Sequence, residues 1–150
     1  MVTLLLLLNL LLGKLKGSSY VSSKFHPVIS KITHSAYKVV DKIENQVVIK
    51  QAEEILTDIE NALDFYQQKG IDVSYLPSLI AIEFDDGSLL IEWVFDDFHL
   101  GFSIEPSPDE SSWYIVSNEK LNNIFTSDYF KNISHSELFR WFVGFALQNS

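Results

Sequence analysis

The sequence predicts an α+β fold in which helices precede and follow a four-stranded antiparallel sheet. Three observations predict this class: apolar residues recur every three or four positions over residues 39–69, they alternate over residues 78–117, and helical spacing returns over residues 134–148. A period of 3.6 residues indicates one face of a helix, whereas a period of two indicates one face of a strand. With 150 residues, 47% of them hydrophobic, the chain is long enough for a single domain with one core.

Residues 1–17 predict an apolar N-terminal helix. The leucine run over residues 4–12, broken by Asn9, is shorter than the roughly 20 residues that span a bilayer. Lys14 and Lys16 follow the run, whereas a secretory signal carries its positive charge before the apolar part. We therefore expect no membrane span and a soluble, cytoplasmic protein. Three roles stay open for this leucine-rich helix: part of the core, the interface of a homodimer, or a targeting signal.

Residues 18–27 predict a connector, because the segment is rich in serine and ends in Pro27. The longest helix is then predicted over residues 39–69, with its acidic residues mostly outside one apolar stripe. Gly70 is a natural stop, since glycine accepts the left-handed conformation that ends many helices. The stripe consists of Ala52, Ile55, Leu56, Ile59, Ala62, Leu63 and Tyr66.

Four strands in a meander are predicted next, over residues 78–84, 88–95, 98–105 and 113–117. Asp86-Gly87 favours a tight reversal between the first two strands, because both residues tolerate the positive φ that such turns require. In the second and third strands, alternate side chains form an apolar set that marks the core face. This set is Leu89, Ile91, Trp93, Phe95, Phe98, Leu100, Phe102 and Ile104.

The C-terminal part ends in a predicted helix over residues 134–148. Ser134 and Glu137 form the Ser-x-x-Glu pattern that caps exposed amides at a helix start. A bulky stripe follows and predicts a helix that covers the sheet; it consists of Leu138, Trp141, Phe142 and Phe145. Before this helix, residues 119–132 are predicted to be a loop with a short helix over residues 124–130.

The charges are distributed very unevenly along the chain. Residues 1–50 carry a net charge of +5, from seven lysines against two acids, whereas residues 70–119 carry eleven acids and no lysine or arginine. Such a field repels nucleic acid and attracts cationic partners. We therefore predict that the sheet binds a basic protein partner and not nucleic acid; the alternatives are simple solvation and neutralisation by the chain's own basic first third. The predicted partner-binding residues are Glu83, Asp85, Asp86, Leu90, Glu92, Val94, Asp96, Asp97 and Glu105.

Little in the sequence indicates catalysis. The chain has no cysteine, no phosphate-binding glycine loop and no recognisable nucleophile motif, and its four histidines lack the spacing of a helical metal site. We therefore expect no catalytic residue, no metal and no cofactor. The alternative is a small ligand-sensing or metal-dependent hydrolytic domain built on Glu83, Glu92 and His99, in which the two glutamates on neighbouring strands face the same side.

Three sheet segments resemble a pattern in short uncharacterised prokaryotic proteins: DGSLLIEW at residues 86–93, GFSIE at 101–105 and WYIVS at 113–117. This resemblance implies no activity. The order of acidic helix, sheet and helix is also similar to that of secretion chaperones, which supplies a further alternative. The function predicted from the sequence is a non-enzymatic interaction module, such as an accessory, immunity or inhibitor protein of a prokaryotic defence, toxin or mobile-element system.

Overall fold

A computed structural model describes residues 26–117, 125–130 and 135–150. Along the described chain, two helices come first, the strands follow, and a third helix comes last. The elements are α1 (Pro27–Val40), α2 (Gln46–Gln68), β1 (Ile80–Glu83), β2 (Leu89–Val94), β3 (Phe98–Ile104), β4 (Ser112–Ser117), β5 (Phe125–Tyr129) and α3 (His135–Asn149), with one 3-10 turn at Pro108–Glu110. The predicted helix over residues 1–17 lies outside the described residues, as does the predicted connector up to residue 25.

Helix α1 is an addition to the predicted elements. Pro27 occupies its first turn, where the missing amide hydrogen costs no helical bond, and the His26 side chain accepts a hydrogen bond from the Val28 amide at 3.4 Å. The helix ends at Val40, so the predicted start of the next helix at residue 39 is wrong. Asn45 begins α2 instead, because its side chain accepts hydrogen bonds from the amides of Val47 and Val48.

Helix α2 has the apolar stripe that the sequence predicts. All stripe residues are buried except Tyr66, which is half-buried. The helix ends at Gln68, and Gly70 adopts a φ of 81° just beyond it. A left-handed glycine at this place is a common helix end, so the predicted stop is confirmed.

The described residues form a sheet of five strands rather than the predicted four, in the order β1-β2-β3-β4-β5, and every neighbouring pair is antiparallel. The predicted alternation of β2 and β3 is confirmed, because one side of both strands is buried. The predicted short helix over residues 124–130 is wrong. That segment contains β5, whose β-branched and aromatic residues suit a strand once the edge of β4 is available for pairing.

The core lies between one face of the sheet and the helices. Phe102 of β3 meets Phe139 and Phe142 of α3 at ring-centroid distances of 5.3 and 5.4 Å. Helix α1 reaches the start of β1, where the Leu79 amide donates to the Ile32 carbonyl at 2.8 Å. Among the described helices, none is both long and apolar enough to cross a membrane. Among the described residues, no helix covers the opposite face of the sheet, where several apolar side chains are exposed.

Candidate functional site

The side of the sheet opposite the helices is the candidate site, and we call it the outer sheet face. Its side chains are those that alternate with the buried ones, so the same period that builds the core also creates this surface. Many of its residues are apolar yet exposed. Relative exposures are 44% for Ile80, 44% for Ile82, 37% for Val94, 36% for Val116 and 55% for Tyr129. Exposed apolar surface of this kind, when contiguous, is typical of a protein-binding site.

Glu92 lies at the centre of the outer sheet face. Its direct cross-strand neighbours are Ile80 of β1 and Gly101 of β3. Along β2, Leu90 and Val94 lie two residues before and after it and therefore share its face. Ile80, Leu90 and Val94 are thus aliphatic neighbours of Glu92, and only 14% of the Glu92 side chain is exposed.

Two polar side chains contact the Glu92 carboxylate. The Tyr114 hydroxyl donates a hydrogen bond to Oε2 at 2.8 Å, and Nδ1 of His99 lies 3.6 Å from the same oxygen. Burial and the nearby Glu92 carboxylate raise the pKa of Tyr114, so the hydroxyl keeps its proton and remains a donor. The contact holds the carboxylate in one place on the face.

The Tyr114 ring reaches Glu92 by lying across Gly101. Tyr114 pairs with Gly101, and Gly101 pairs with Glu92, so the three residues form one row across β4, β3 and β2. A Cβ atom at Gly101 would overlap the ring. Glycine is therefore required at this position because the Tyr114 ring approaches the backbone closely. Such close approach is a common reason for glycine inside a strand.

No lysine or arginine occurs in the five described strands. Oε2 of Glu92 is contacted by Tyr114 and His99, whereas Oε1 accepts no hydrogen bond from the described residues. A carboxylate that is mostly removed from water needs a partner to offset the lost solvation. As far as the described residues show, Oε1 is therefore the oxygen of Glu92 that a cationic group from outside could contact.

The predicted partner-binding residues do not form one patch. Leu90, Glu92 and Val94 do share the outer sheet face, as the alternation of β2 predicts. The other acids lie at the two ends of the sheet, because the turns there reverse the chain. Glu83, Asp85, Asp86 and Glu105 lie at the end with the β1–β2 turn, and Asp96 and Asp97 lie at the end with the β2–β3 turn. The acids flank the apolar face from both ends and do not cover it.

Some of these acids also have structural contacts. The Asp86 carboxylate accepts hydrogen bonds from the Ser88 hydroxyl at 2.6 Å and the Ser88 amide at 2.9 Å, which lowers the pKa of Asp86. Oε1 of Glu105 accepts from the Ser103 hydroxyl at 2.7 Å. Asp86 and Glu105 therefore shape the turns in addition to supplying charge.

The predicted pairing of Glu83 with Glu92 is wrong. Glu83 lies opposite Leu89, which is buried on the inner face, whereas Glu92 lies opposite Ile80 on the outer sheet face. The two carboxylates therefore point to opposite sides of the sheet, because directly paired residues share a side. His99 does lie beside Glu92, but on an open face.

A second polar cluster lies where α2 meets the start of α3. Oδ2 of Asp58 is 3.6 Å from Nδ1 of His135, and the two residues line a shallow hollow with Lys50 and Glu54. Burial raises the pKa of Asp58, and His135 opposes the increase. Across residues 26–117, 125–130 and 135–150, no three His, Asp or Glu side chains are grouped as they would be around a metal ion.

Sequence reasoning missed Tyr114 and Gly101 as members of the site. The available signal was Gly101 itself, since an isolated glycine within an alternating strand often marks close approach of another group. No protein-family model, curated protein or solved structure matches this chain.

Proposed function

We propose that the chain is a non-enzymatic interaction module that binds a basic protein partner through the outer sheet face. One observation carries the proposal: the Glu92 carboxylate lies within an exposed aliphatic surface, is oriented by Tyr114, and has no lysine or arginine beside it in the described strands. Such a surface suits a partner segment in which an arginine or lysine is flanked by apolar side chains.

The physical basis is the exclusion of water around one charge pair. When apolar side chains of the partner cover Ile80, Leu90 and Val94, the Glu92 carboxylate loses its remaining water. A partner guanidinium then takes the free Oε1, while the Tyr114 hydroxyl stays on Oε2. Charge-assisted hydrogen bonds are the strong ones, and a surrounding apolar ring is typical of binding hot spots. Most of the binding energy should therefore depend on Glu92 and its aliphatic neighbours.

The acids at the two ends of the sheet have a different role in this proposal. They create a negative field around the apolar face, which accelerates the encounter with a cationic partner and weakens as salt increases. Proteins that bind nucleic acid present a positively charged surface of the kind that this negative field attracts. By covering such a surface, the chain would act as an accessory, immunity or inhibitor protein of a prokaryotic defence, toxin or mobile-element system. The proposed compartment is the cytoplasm, in line with the cysteine-free sequence.

The test uses the full chain as bait in a lysate of its host, followed by affinity measurements on the purified partner. Glu92→Gln is the decisive variant, because the amide oxygen still accepts from Tyr114 while the charge is lost. We expect its affinity to fall by roughly 10- to 100-fold, the range for a lost charge-assisted contact. Glu54→Gln is the matched control, since Glu54 is exposed on α2 away from the sheet.

Two results would contradict the proposal. One is a captured partner whose affinity is the same for Glu92→Gln and Glu54→Gln, since binding would then not use the outer sheet face. The other is an affinity that does not change with salt, since a cationic contact in a negative field must weaken as ionic strength rises.

A further inference from the structure

Strand β1 forms an edge of the sheet as far as the described residues extend, because β2 is its only neighbour among the described strands. An edge strand presents backbone N–H and C=O groups that another strand can pair with. Helix α1 packs against β1, and just before the strand the Leu79 amide donates to the Ile32 carbonyl at 2.8 Å. At the other end of the strand, Ile82 and Glu83 are exposed.

The orientation of the β1 backbone follows from its turn. The Phe84 amide donates to the Ser88 carbonyl at 2.9 Å, so the hydrogen-bonding groups of Phe84 face β2. In an antiparallel sheet, residues that bond toward one neighbour alternate with residues that point the other way. Ile82 therefore bonds toward β2, whereas Ala81 and Glu83 point their backbone groups outward. The outward bond of Leu79 fits the same alternation, and within the described residues the outward amides of Ala81 and Glu83 have no acceptor.

The side chains along this edge are also available for contact. Ile80 and Ile82 are each 44% exposed on the outer sheet face, and Phe84 just after the strand is 47% exposed. An added strand would place alternate side chains beside these residues and would extend the outer sheet face by one strand. Backbone pairing and apolar contact would thus form together.

Charge determines which kind of strand suits this edge. Glu83 lies in β1 and Asp85 lies in the turn that follows, and both are exposed. If β1 of a second copy paired with this four-residue strand, the same two carboxylates of each copy would lie close together. Like charges on paired strands oppose association. A basic strand instead neutralises them. We propose that β1 accepts an extended basic segment, with lysines or arginines alternating with apolar residues, as a sixth strand.

The probe is a heptapeptide of alternating lysine and valine with acetyl and amide ends, and its binding to the full chain is measured by calorimetry at low salt. Glu83→Pro removes the outward N–H without affecting the bonds between β1 and β2, since proline is tolerated where the amide faces away from the sheet. Glu83→Gln is the matched control, because it loses the same charge and keeps the amide. We expect Glu83→Pro to bind about tenfold more weakly than Glu83→Gln, with thermal unfolding and circular dichroism confirming that both variants are folded.

Equal affinities of the two variants would overturn the proposal, because the peptide would then sense only charge. A wild-type chain that does not bind the peptide, or that forms a dimer lost in Glu83→Pro, would overturn it as well. The outer sheet face is tested separately by Glu92→Gln, whose charge lies on β2 and whose backbone groups do not reach this edge. Failure at β1 and failure at the outer sheet face are therefore distinguishable.

Discussion

The ring of Tyr114 occupies the space that a side chain at Gly101 would need. This arrangement lets the Tyr114 hydroxyl reach Oε2 of Glu92 at 2.8 Å across the intervening strand β3. The missing side chain at Gly101 thus helps to determine where the Glu92 carboxylate lies at the centre of the outer sheet face. The candidate site therefore depends on a residue that contributes no side chain.

The first prediction concerns Gly101→Ala. In most strand positions alanine would be tolerated at least as well as glycine, but here the new methyl group must displace the Tyr114 ring. We expect the unfolding free energy to fall by about 1–3 kcal/mol, the range for an overpacked site. Urea unfolding measures it. In a Tyr114→Ala background the same substitution should cost much less, and an equal cost in both backgrounds would contradict this explanation.

The second prediction concerns Glu60, a buried carboxyl on α2. It accepts hydrogen bonds from the Thr33 hydroxyl at 2.7 Å and the Tyr37 hydroxyl at 3.3 Å, both on α1. Burial raises the pKa of Glu60, and the two hydrogen bonds oppose the increase. Because the folded state then holds the proton more tightly than the unfolded state, the stability that Glu60 contributes is present at low pH and is lost as pH rises through its raised pKa.

Glu60→Gln removes this titration. We therefore expect the unfolding free energy of Glu60→Gln, relative to wild type, to increase as pH rises above the ordinary pKa of a glutamate carboxyl. Urea unfolding at a series of pH values checks this, and Glu54→Gln is the matched control on the exposed side of the same helix. A difference between Glu60→Gln and wild type that stays constant with pH would show that Glu60 does not titrate differently in the folded state.

The third prediction concerns the contact between α2 and α3. The Tyr66 hydroxyl donates to the Arg140 carbonyl at 2.8 Å, and a Cβ atom at Gly144 would lie 2.5 Å from that hydroxyl oxygen. Replacing glycine by alanine inside a helix usually stabilises by roughly 1 kcal/mol. Here we expect Gly144→Ala to destabilise by about 1–2 kcal/mol instead, because the helices must separate or the hydrogen bond must break.

Thermal unfolding of Gly144→Ala with and without Tyr66→Phe checks this contact. Removing the hydroxyl clears the atom nearest to the new methyl group, so the cost of Gly144→Ala should shrink in the Tyr66→Phe background. A stabilising effect of Gly144→Ala in the wild-type background would show that the approach of the two helices is looser than described.

The fourth prediction concerns the start of α2. The Asn45 side chain accepts hydrogen bonds from the Val47 amide at 3.0 Å and the Val48 amide at 3.3 Å. Asn45→Ala leaves both amides without this acceptor and should lower the unfolding free energy by about 1 kcal/mol. Asn45→Asp keeps the acceptor and should remain within about 0.5 kcal/mol of wild type. If the two variants lost equal stability in urea, the cap would not be the cause.

The hairpin between β1 and β2 shows why the predicted carboxylate pair was wrong. The sequence indicates a turn at Asp86-Gly87, and Gly87 does adopt a φ of 84°. The turn pairs Glu83 with Leu89 and Ile80 with Glu92. Along β2, Glu92 therefore lies an odd number of positions from Leu89, the residue opposite Glu83. A turn one residue longer or shorter would have put them on the same face, because side chains alternate along a strand. Local pattern does not specify the number of residues in the turn.

Strand β5 shows a second kind of omission. Its segment is short, has no clear alternation and contains aromatic residues that fit a helix or a strand. Pairing with the preceding strand β4 supplies the hydrogen bonds that make the strand favourable, and the composition of the segment does not reveal that pairing. Such a strand is decided by its neighbour and not by its own composition.

The sequence alone predicts helix α2, the antiparallel strands β2 and β3, and the side of each element that faces the core. These features follow from local periodicity, since a residue's position within one helix turn or one strand pleat sets its direction. Tertiary structure decided the fifth strand, the separation of Glu83 from Glu92, and the row of Glu92, Gly101 and Tyr114. Those features depend on which residues the turns bring opposite one another, and cross-strand neighbours are set by register rather than by spacing along the chain.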